Sequence, residues 1–275
     1  MTGSEERGWL SLFERIGTAV GVAVRPLIGT EAGRAELSTG AGGARTVELD
    51  RLAEATAMGI LQAHGAGGAR FSLLSEEIGR VSYGAEYPLV LLDPIDGSLN
   101  AKQGIPAYAV MATLLDGPRV ADIRAGYVIN LVSRDTWTAT RGGGATRNGE
   151  HLWPLPTEHA GRLELLGLES SPKSLELAHD LVRAAAKIRM LGSMAISLTQ
   201  AASGGFSLFC SPINARVFDM TAGLLMVREV GGVVTDLKGR ALDDLEVGFD
   251  SRSTLLAASD PALHTLGLEL LAAGR

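Results

Sequence analysis

The chain has 275 residues, of which 46% are hydrophobic and 20% charged. That is enough apolar material for a sizeable core, so a disordered or low-complexity protein is excluded. With 25 Lys and Arg against 31 Asp and Glu the net charge is -6, which excludes nucleic-acid binding through general basicity, because such binding depends on neutralising phosphates.

At roughly 150 residues per domain the length allows one or two domains. Glycine accounts for 35 of 275 residues, well above the usual ~7%, and points to many tight turns or loops close to a ligand. Cys210 stands alone, so an internal disulfide and a thiolate metal cluster are excluded. The start, Met1 to Arg7, is polar and acidic and lacks the pattern of a secretory signal. No apolar run reaches the ~18 residues needed to cross a bilayer. The expected setting is the cytoplasm, with no membrane partner and no nucleic acid.

Apolar residues at Leu10, Leu12, Phe13, Ile16, Val20 and Val24 recur at helical spacing and predict a helix over 8–27. The run Ser38 to Ala44 is too short and glycine-rich to form an element and reads as a flexible loop. A helix over 47–63 follows, then strands over 71–74, 87–92, 108–115, 125–130 and 137–139. Asn148-Gly149 signals a hairpin turn. The texture changes after Pro156. A strand over 163–168 precedes a helix from Ser171-Pro172 to about Ala186, a strand over 188–191 and a helix over 193–203. A strand over 206–209 leads to a helix over 219–230, stopped by Gly231-Gly232. Strands near 233–235 and 255–258 and a helix after Pro261 complete the chain. Helices and strands are mixed without strict alternation, which predicts a layered α+β fold rather than a barrel or a Rossmann sheet.

The most informative stretch is Leu91-Leu92-Asp93-Pro94-Ile95-Asp96-Gly97-Ser98-Leu99-Asn100. An apolar strand runs into Asp93, and Pro94 favours a turn. Asp93 and Asp96 then stand at i and i+3, where both carboxylates can face one point. Gly97 lets the backbone approach a ligand, and Ser98 adds a hydroxyl. The strand over 71–74 ends at Ser75-Glu76-Glu77. If the two strands are neighbours, Glu76 lands beside Asp93, at the strand ends where ligands collect. Carboxylates this close repel unless protonated or neutralised, and a bound cation removes the cost. An all-oxygen donor set favours Mg²⁺ or Mn²⁺ over Zn²⁺. None of His64, His151, His159, His179 and His264 lies in these motifs. The Ile95 carbonyl is a further candidate ligand. Each part alone has a plainer reading. Asp-Pro and Asp-Gly pairs occur in surface turns, Glu76-Glu77 would be a solvated strand end, and Asp219 would cap a helix. Gly192-Ser193 would be a loop and helix cap, and Gly142 to Gly144 a turn. The metal reading draws on the parts coming in order at element ends.

The run Asp93 to Asn100 resembles the signature Asp-Pro-Ile/Leu-Asp-Gly-Thr/Ser-x-Asn of the inositol monophosphatase superfamily. Three further pieces match in order: Glu76-Glu77, the turn Gly142-x-Gly144-Ala145-x-x-Asn148-Gly149, and Phe218-Asp219-Met220-Thr221-Ala222-Gly223 followed by Glu229-Val230-Gly231-Gly232. The resemblance spans roughly the whole chain. Gly104-Ile105-Pro106 and Ser98 in place of Thr are most similar to the archaeal-type enzymes that act on both fructose 1,6-bisphosphate and inositol phosphates. The resemblance implies a single α-β-α-β-α sandwich, with an N-terminal α+β half over about 1–155 and a C-terminal α/β half over about 156–275. It implies Mg²⁺-dependent hydrolysis of a small phosphate monoester by a homodimer. By position, Glu76, Asp93, Asp96, Asp219 and the Ile95 carbonyl would hold two or three Mg²⁺ or Mn²⁺ ions. Asp50 and Ser98 would orient the attacking water, and Gly97 and Ser98 amides would hold the phosphate. Arg189 and Ser193 resemble substrate-side positions, and the loop before Asp50 would close over the last metal. Pro212 stands where inositol-selective relatives carry Glu and archaeal bifunctional ones Arg; Arg216 is close enough to substitute. Relatives acting on 3′-phosphoadenosine 5′-phosphate or histidinol phosphate, or a non-catalytic binding paralogue, are the alternatives.

Overall fold

The computed structural model describes residues 2–43, 45–153 and 163–273. In chain order its elements are α1 (Gly3–Val24), β1 (Glu36–Thr39), β2 (Arg45–Val47), α2 (Glu48–Ala66), β3 (Ser72–Ser75), β4 (Gly79–Ser82) and β5 (Leu89–Asp96). Next come α3 (Ser98–Gln103), β6 (Ala109–Leu115), β7 (Ile123–Asn130), β8 (Thr136–Thr140), β9 (Gly144–Arg147) and β10 (Glu150–His151). The remainder is β11 (Leu163–Leu168), α4 (His179–Ala184), β12 (Ala185–Arg189), α5 (Met194–Ala202), β13 (Leu208–Arg216), α6 (Thr221–Glu229), β14 (Val233–Thr235), β15 (Arg252–Ala258) and α7 (Pro261–Ala273).

Two large sheets result. One has the order β10-β9-β8-β7-β6-β5-β3-β4, the other β12-β11-β13-β15-β14. Side-chain alternation along β5 explains the layering. Val90 and Leu92 face Phe13 and Ile16 of α1 and Leu49 and Ala53 of α2. Leu89 and Leu91 face the opposite way, into a core shared with α5, α6 and Phe209, Leu255 and Ala257 of the second sheet. A strand covered on both faces reads as a continuous apolar run, and all of β5 is buried. On the outer face of the second sheet, Leu208, Cys210 and Leu256 meet Leu181 of α4 and Leu263 and Leu271 of α7. The layers are therefore α1/α2, sheet, α5/α6, sheet, α4/α7, the layered α+β architecture expected.

Several elements differ from the sequence reading. Residues 38–43 do not form a free loop: they are the tip of the β1–β2 pair, and its last residue, Ala44, lies outside the described residues. The boundary between halves near 155 also lies outside them. β5 does not end before Asp93. It runs on to Asp96, with a register irregularity between Asp93 and Asp96 against β6; Pro94 is tolerated at such a break in the ladder. The long helix expected from Ser171 is a short 3-10 turn, Leu175–Ala178, and a six-residue α4. Parallel pairing with β11 takes Ala185 and Ala186 out of that helix into β12, so tertiary pairing overrides local propensity.

α5 and α6 cross where Gly223 faces Leu198, and a Cβ on Gly223 would lie 2.3 Å from Leu198 Cβ. Neither atom is the end of a flexible side chain, so the helices would have to separate. Gly223→Ala is expected to cost about 1–3 kcal/mol in denaturant unfolding.

Candidate functional site

β3 and β5 are parallel neighbours, with Ser75 opposite Leu92. The next residues, Glu76 just past the end of β3 and Asp93 within β5, therefore lie side by side, and Glu76 N donates to Leu92 O at 3.3 Å. Asp96 ends β5. Gly97 follows with φ 85°, and a Cβ there would lie 2.9 Å from the Ala107 carbonyl oxygen. Only glycine fits this turn into α3. Asp219 comes from the other sheet, in the turn Val217–Met220 that links β13 to α6. Asp50 sits in the first turn of α2, where its Oδ2 accepts from Val47 N at 3.3 Å.

Burial and mutual repulsion govern these groups. Burial, then the charges of Glu76, Asp96 and Asp219, push the Asp93 carboxyl well above its ordinary range. Asp96 is raised from 3.8 to about 7, chiefly by burial and despite the hydrogen bond from Ser193. Asp219 and Asp50 are raised by burial too, opposed by Arg216 and Lys102 respectively. Such shifts are what desolvated like charges produce.

The cluster holds two cations of its own. Arg216 Nη2 lies 2.7 Å from Glu76 Oε1 and 2.9 Å from Asp219 Oδ1, and its Nε donates to Asp219 Oδ2 at 3.0 Å. Lys102 Nζ lies 3.7 Å from Asp50 Oδ2. Asp219 Oδ1 is buried with no aligned hydrogen bond, so its contact with Arg216 is one of charge rather than geometry. An all-oxygen, desolvated and repelling donor set of this kind suits a hard divalent cation. As the side chains stand, no group of three or more His, Cys, Asp or Glu among the described residues is arranged to hold one. The guanidinium of Arg216 joins Glu76 to Asp219 instead.

The other expected residues are distributed more widely. Ser98 opens α3, and its hydroxyl makes no hydrogen bond to Asp50 among the described residues. Ile95 is buried, and its N–H donates to Asp93 Oδ1 at 3.0 Å. Ser193 caps α5 and hydrogen-bonds Asp96 Oδ2, which also accepts from Ala195 N at 3.0 Å. Arg189 is exposed at the end of edge strand β12, its Nη1 donating to the Ile188 carbonyl at 2.8 Å. Pro212 lies within β13, at a register irregularity against β15. The glycine tip is docked on the acids: Ala41 N donates to Glu77 O at 2.9 Å and Gly42 N to Glu76 O at 2.7 Å.

Sequence reading missed Lys102, Glu54 and Glu169. Glu54 lies one helical turn after Asp50, a spacing that puts both on one face of α2. Ser75 Oγ donates to its Oε2 at 2.7 Å, its Oε1 has no partner, and burial raises it to about 7. Glu169, at the end of β11, accepts from Gly192 N and Ser197 Oγ, both at 2.9 Å. It thereby fixes the loop that carries Ser193. A cavity of about 670 Å³ lined in part by Asn214, Asp236, Lys238 and Arg252 contains none of the clustered acids.

A five-layered α+β fold with buried acids gathered at strand ends between its two sheets defines a class of candidate cation-dependent enzyme. The inositol monophosphatase family model matches residues 10–273, and the chain belongs to that family. It is 30% identical over 267 residues to the fructose-1,6-bisphosphatase/inositol-1-monophosphatase of Methanothermobacter thermautotrophicus, covering 93% of this chain and 94% of that one. It is 28% identical over 262 residues to the bifunctional NADP phosphatase/NAD kinase of Methanococcus maripaludis, covering 86% of this chain and 45% of that one. Among solved structures, the extragenic suppressor protein suhB of Bartonella henselae superposes with a TM-score of 0.80 at 25% identity, over 98% of this chain and 100% of that one.

The raised carboxyls set a pH dependence. A group whose folded-state pKa lies above its unfolded value binds more protons in the folded state between the two, so stability falls as pH rises through that interval. Asp96 and Glu54 place the interval from about pH 4 to about 7. In EDTA, thermal melts should therefore be higher at pH 5 than at pH 8. Glu54→Gln, which keeps the acceptor for Ser75 but does not ionise, should flatten part of that slope; a steeper one would contradict the assignment.

Proposed function

We propose that this chain hydrolyses small phosphate monoesters with the help of divalent cations, inositol monophosphate and fructose 1,6-bisphosphate being the substrates considered first. The observation that carries this reading is the meeting of Glu76, Asp93, Asp96 and Asp219 from both sheets, with Asp93 and Asp96 buried and Asp93, Asp96 and Asp219 raised in pKa by burial and neighbouring charge, in a member of the inositol monophosphatase family. The name of the Methanothermobacter relative supports the choice of substrates.

Glu76, Asp93, Asp96, Asp219 and the Ile95 carbonyl would hold two or three Mg²⁺ or Mn²⁺ ions. Bound there, the ions would polarise the phosphoryl group and lower the cost of charge on the attacking and leaving oxygens. The protein's own contribution is positioning. Gly97 brings the backbone at the start of α3 close to the acids, and its amide and that of Ser98 would receive phosphate oxygens. Ser98 and Asp50 would orient water. Burial raises the Asp50 carboxyl above its ordinary range, the direction that favours its taking a proton from water. Lys102, beside Asp50, would keep it ionised until that moment. Arg189 and Ser193 are assigned to the substrate side. Ser193 would act there through Asp96, since its hydroxyl is already committed to that carboxylate. The lone buried Cys210 agrees with a cytoplasmic setting, and the family resemblance supports a homodimer. No helix among the described residues is long and apolar enough to cross a membrane.

A second reading within the same chemistry places the substrate among nucleotide phosphates. It is favoured by the match to the protein named as an NADP phosphatase/NAD kinase.

Phosphate release should be seen from inositol 1-phosphate or fructose 1,6-bisphosphate with Mg²⁺ and abolished by EDTA. Release from NADP or 3′-phosphoadenosine 5′-phosphate alone would move the assignment to the second reading, and release from none would refute the hydrolase. Loss of a residue supporting a metal ligand typically costs 10–100-fold, so Asp93→Asn should lower turnover by more than about a hundredfold. The same change removes a charge from a repelling cluster and should raise the melting temperature in EDTA.

A further inference from the structure

We propose that Arg216 is a built-in counter-ion that competes with a divalent cation for Glu76 and Asp219. The inference deepens the metal-dependent reading above and rests on it. Glu76 follows a strand of the first sheet, and Asp219 follows a strand of the second. Side chains of Glu76, Asp219 and Arg216 are only 14%, 16% and 16% exposed. Two carboxylates held this close and this dry need positive charge between them. Arg216 provides it by donating one hydrogen bond to each carboxylate: Nη2 at 2.7 Å to Glu76 Oε1 and Nε at 3.0 Å to Asp219 Oδ2, with Nη2 also 2.9 Å from Asp219 Oδ1 as a contact of charge. Glu76 and Asp219 are among the residues that would hold the cation, so Arg216 and the cation would draw on the same two carboxylates. The arrangement accounts for acids that gather without standing ready to hold an ion.

Arg216 has a fourth contact. Its Nη1 donates to the Gly42 carbonyl at 3.3 Å, and Gly42 N donates to the Glu76 carbonyl at 2.7 Å. A Cβ on Gly42 would lie 2.5 Å from Arg216 Nη1 and 2.9 Å from Glu76 Cγ. The glycine tip between β1 and β2 is thus seated on the same guanidinium that holds the two acids. A cation that takes Glu76 and Asp219 releases Arg216 from them and deprives the tip of that seat. The observed affinity for the ion is the intrinsic one reduced by the fraction of protein in which Arg216 is disengaged. Lys102 is no substitute, because it addresses Asp50.

The test needs no turnover. EDTA-stripped wild type, Arg216→Met and Arg216→Lys are titrated with Mn²⁺ without substrate, and free Mn²⁺ is followed by electron paramagnetic resonance. Removing these charge-assisted hydrogen bonds should tighten Mn²⁺ binding by about tenfold in Arg216→Met, with Arg216→Lys between it and wild type. Thermal melts should show Arg216→Met less stable than wild type in EDTA and recovering most of the loss with saturating Mn²⁺. Equal or weaker Mn²⁺ binding by Arg216→Met overturns the proposal. If that variant does not fold in EDTA, Arg216→Lys decides by the same criterion. Unchanged Mn²⁺ affinity with loss of inorganic phosphate binding would make Arg216 a substrate contact instead. If wild type and variants alike bind no Mn²⁺, the metal reading itself falls, and the inference with it.

Discussion

The structure turns on carboxylates that repel one another and are nevertheless held together away from water. Unpaired, charges in so dry a place cost several kcal/mol each. The fold meets that cost in part by raising the pKa of Asp93 and Asp96 and in part by bringing Arg216 and Lys102 alongside. Neither remedy needs the acids to be there at all. Apolar residues would stabilise the interface between the sheets better. Their presence is therefore a demand of function, and the rest of the chain can be understood as the frame that enforces it.

Much of that frame is polar and remote from the acids. Glu229, at the end of α6, accepts from Gly142 N at 2.8 Å and Gly144 N at 2.9 Å. It fastens α6 to the β8–β9 turn, while Thr221 Oγ1 lies 2.8 Å from Thr113 Oγ1 at the other end of the helix. The turn that carries Asp219 is thus fixed against the first sheet from both ends of α6. Asn100 Nδ2 donates to the Leu191 carbonyl at 2.6 Å and to the Ala107 carbonyl at 2.7 Å, tying α3 to the loop before α5. Glu169 fastens the same loop from the second sheet. Apart from the Thr113–Thr221 pair, these are hydrogen bonds between half-buried or buried side chains and backbone, the kind that rigidify when fully satisfied.

What could be read from the sequence follows how local each feature is. Asp93 to Asn100 was legible because the chemistry lies within eight consecutive residues. The approach of Glu76 to Asp93 followed from one condition, adjacency of two strands, which the parallel β3–β5 pairing meets. The layered α+β class was legible from the mixture of periods. Lys102 was not, because α3 was not foreseen, and without that helix its placement one turn after Ser98 carries no meaning. The reach of Arg216 to Asp219 is local, at i and i+3, but its engagement of Glu76 depends on the two sheets closing on each other, which no local pattern encodes. β1, β2 and β4 were missed because they are short and interrupted by glycine or charge. The helix expected after Ser171 failed because pairing with β11 outweighed a weak helical period.

The most direct measurement is anomalous diffraction from a crystal soaked in Mn²⁺. The account predicts at least one peak between the two sheets, within about 2.0–2.6 Å of carboxylate oxygens from Asp93 and its neighbours Glu76, Asp96 or Asp219. A fully soaked crystal with no such peak, its acids still spanned by side-chain cations alone, would contradict it.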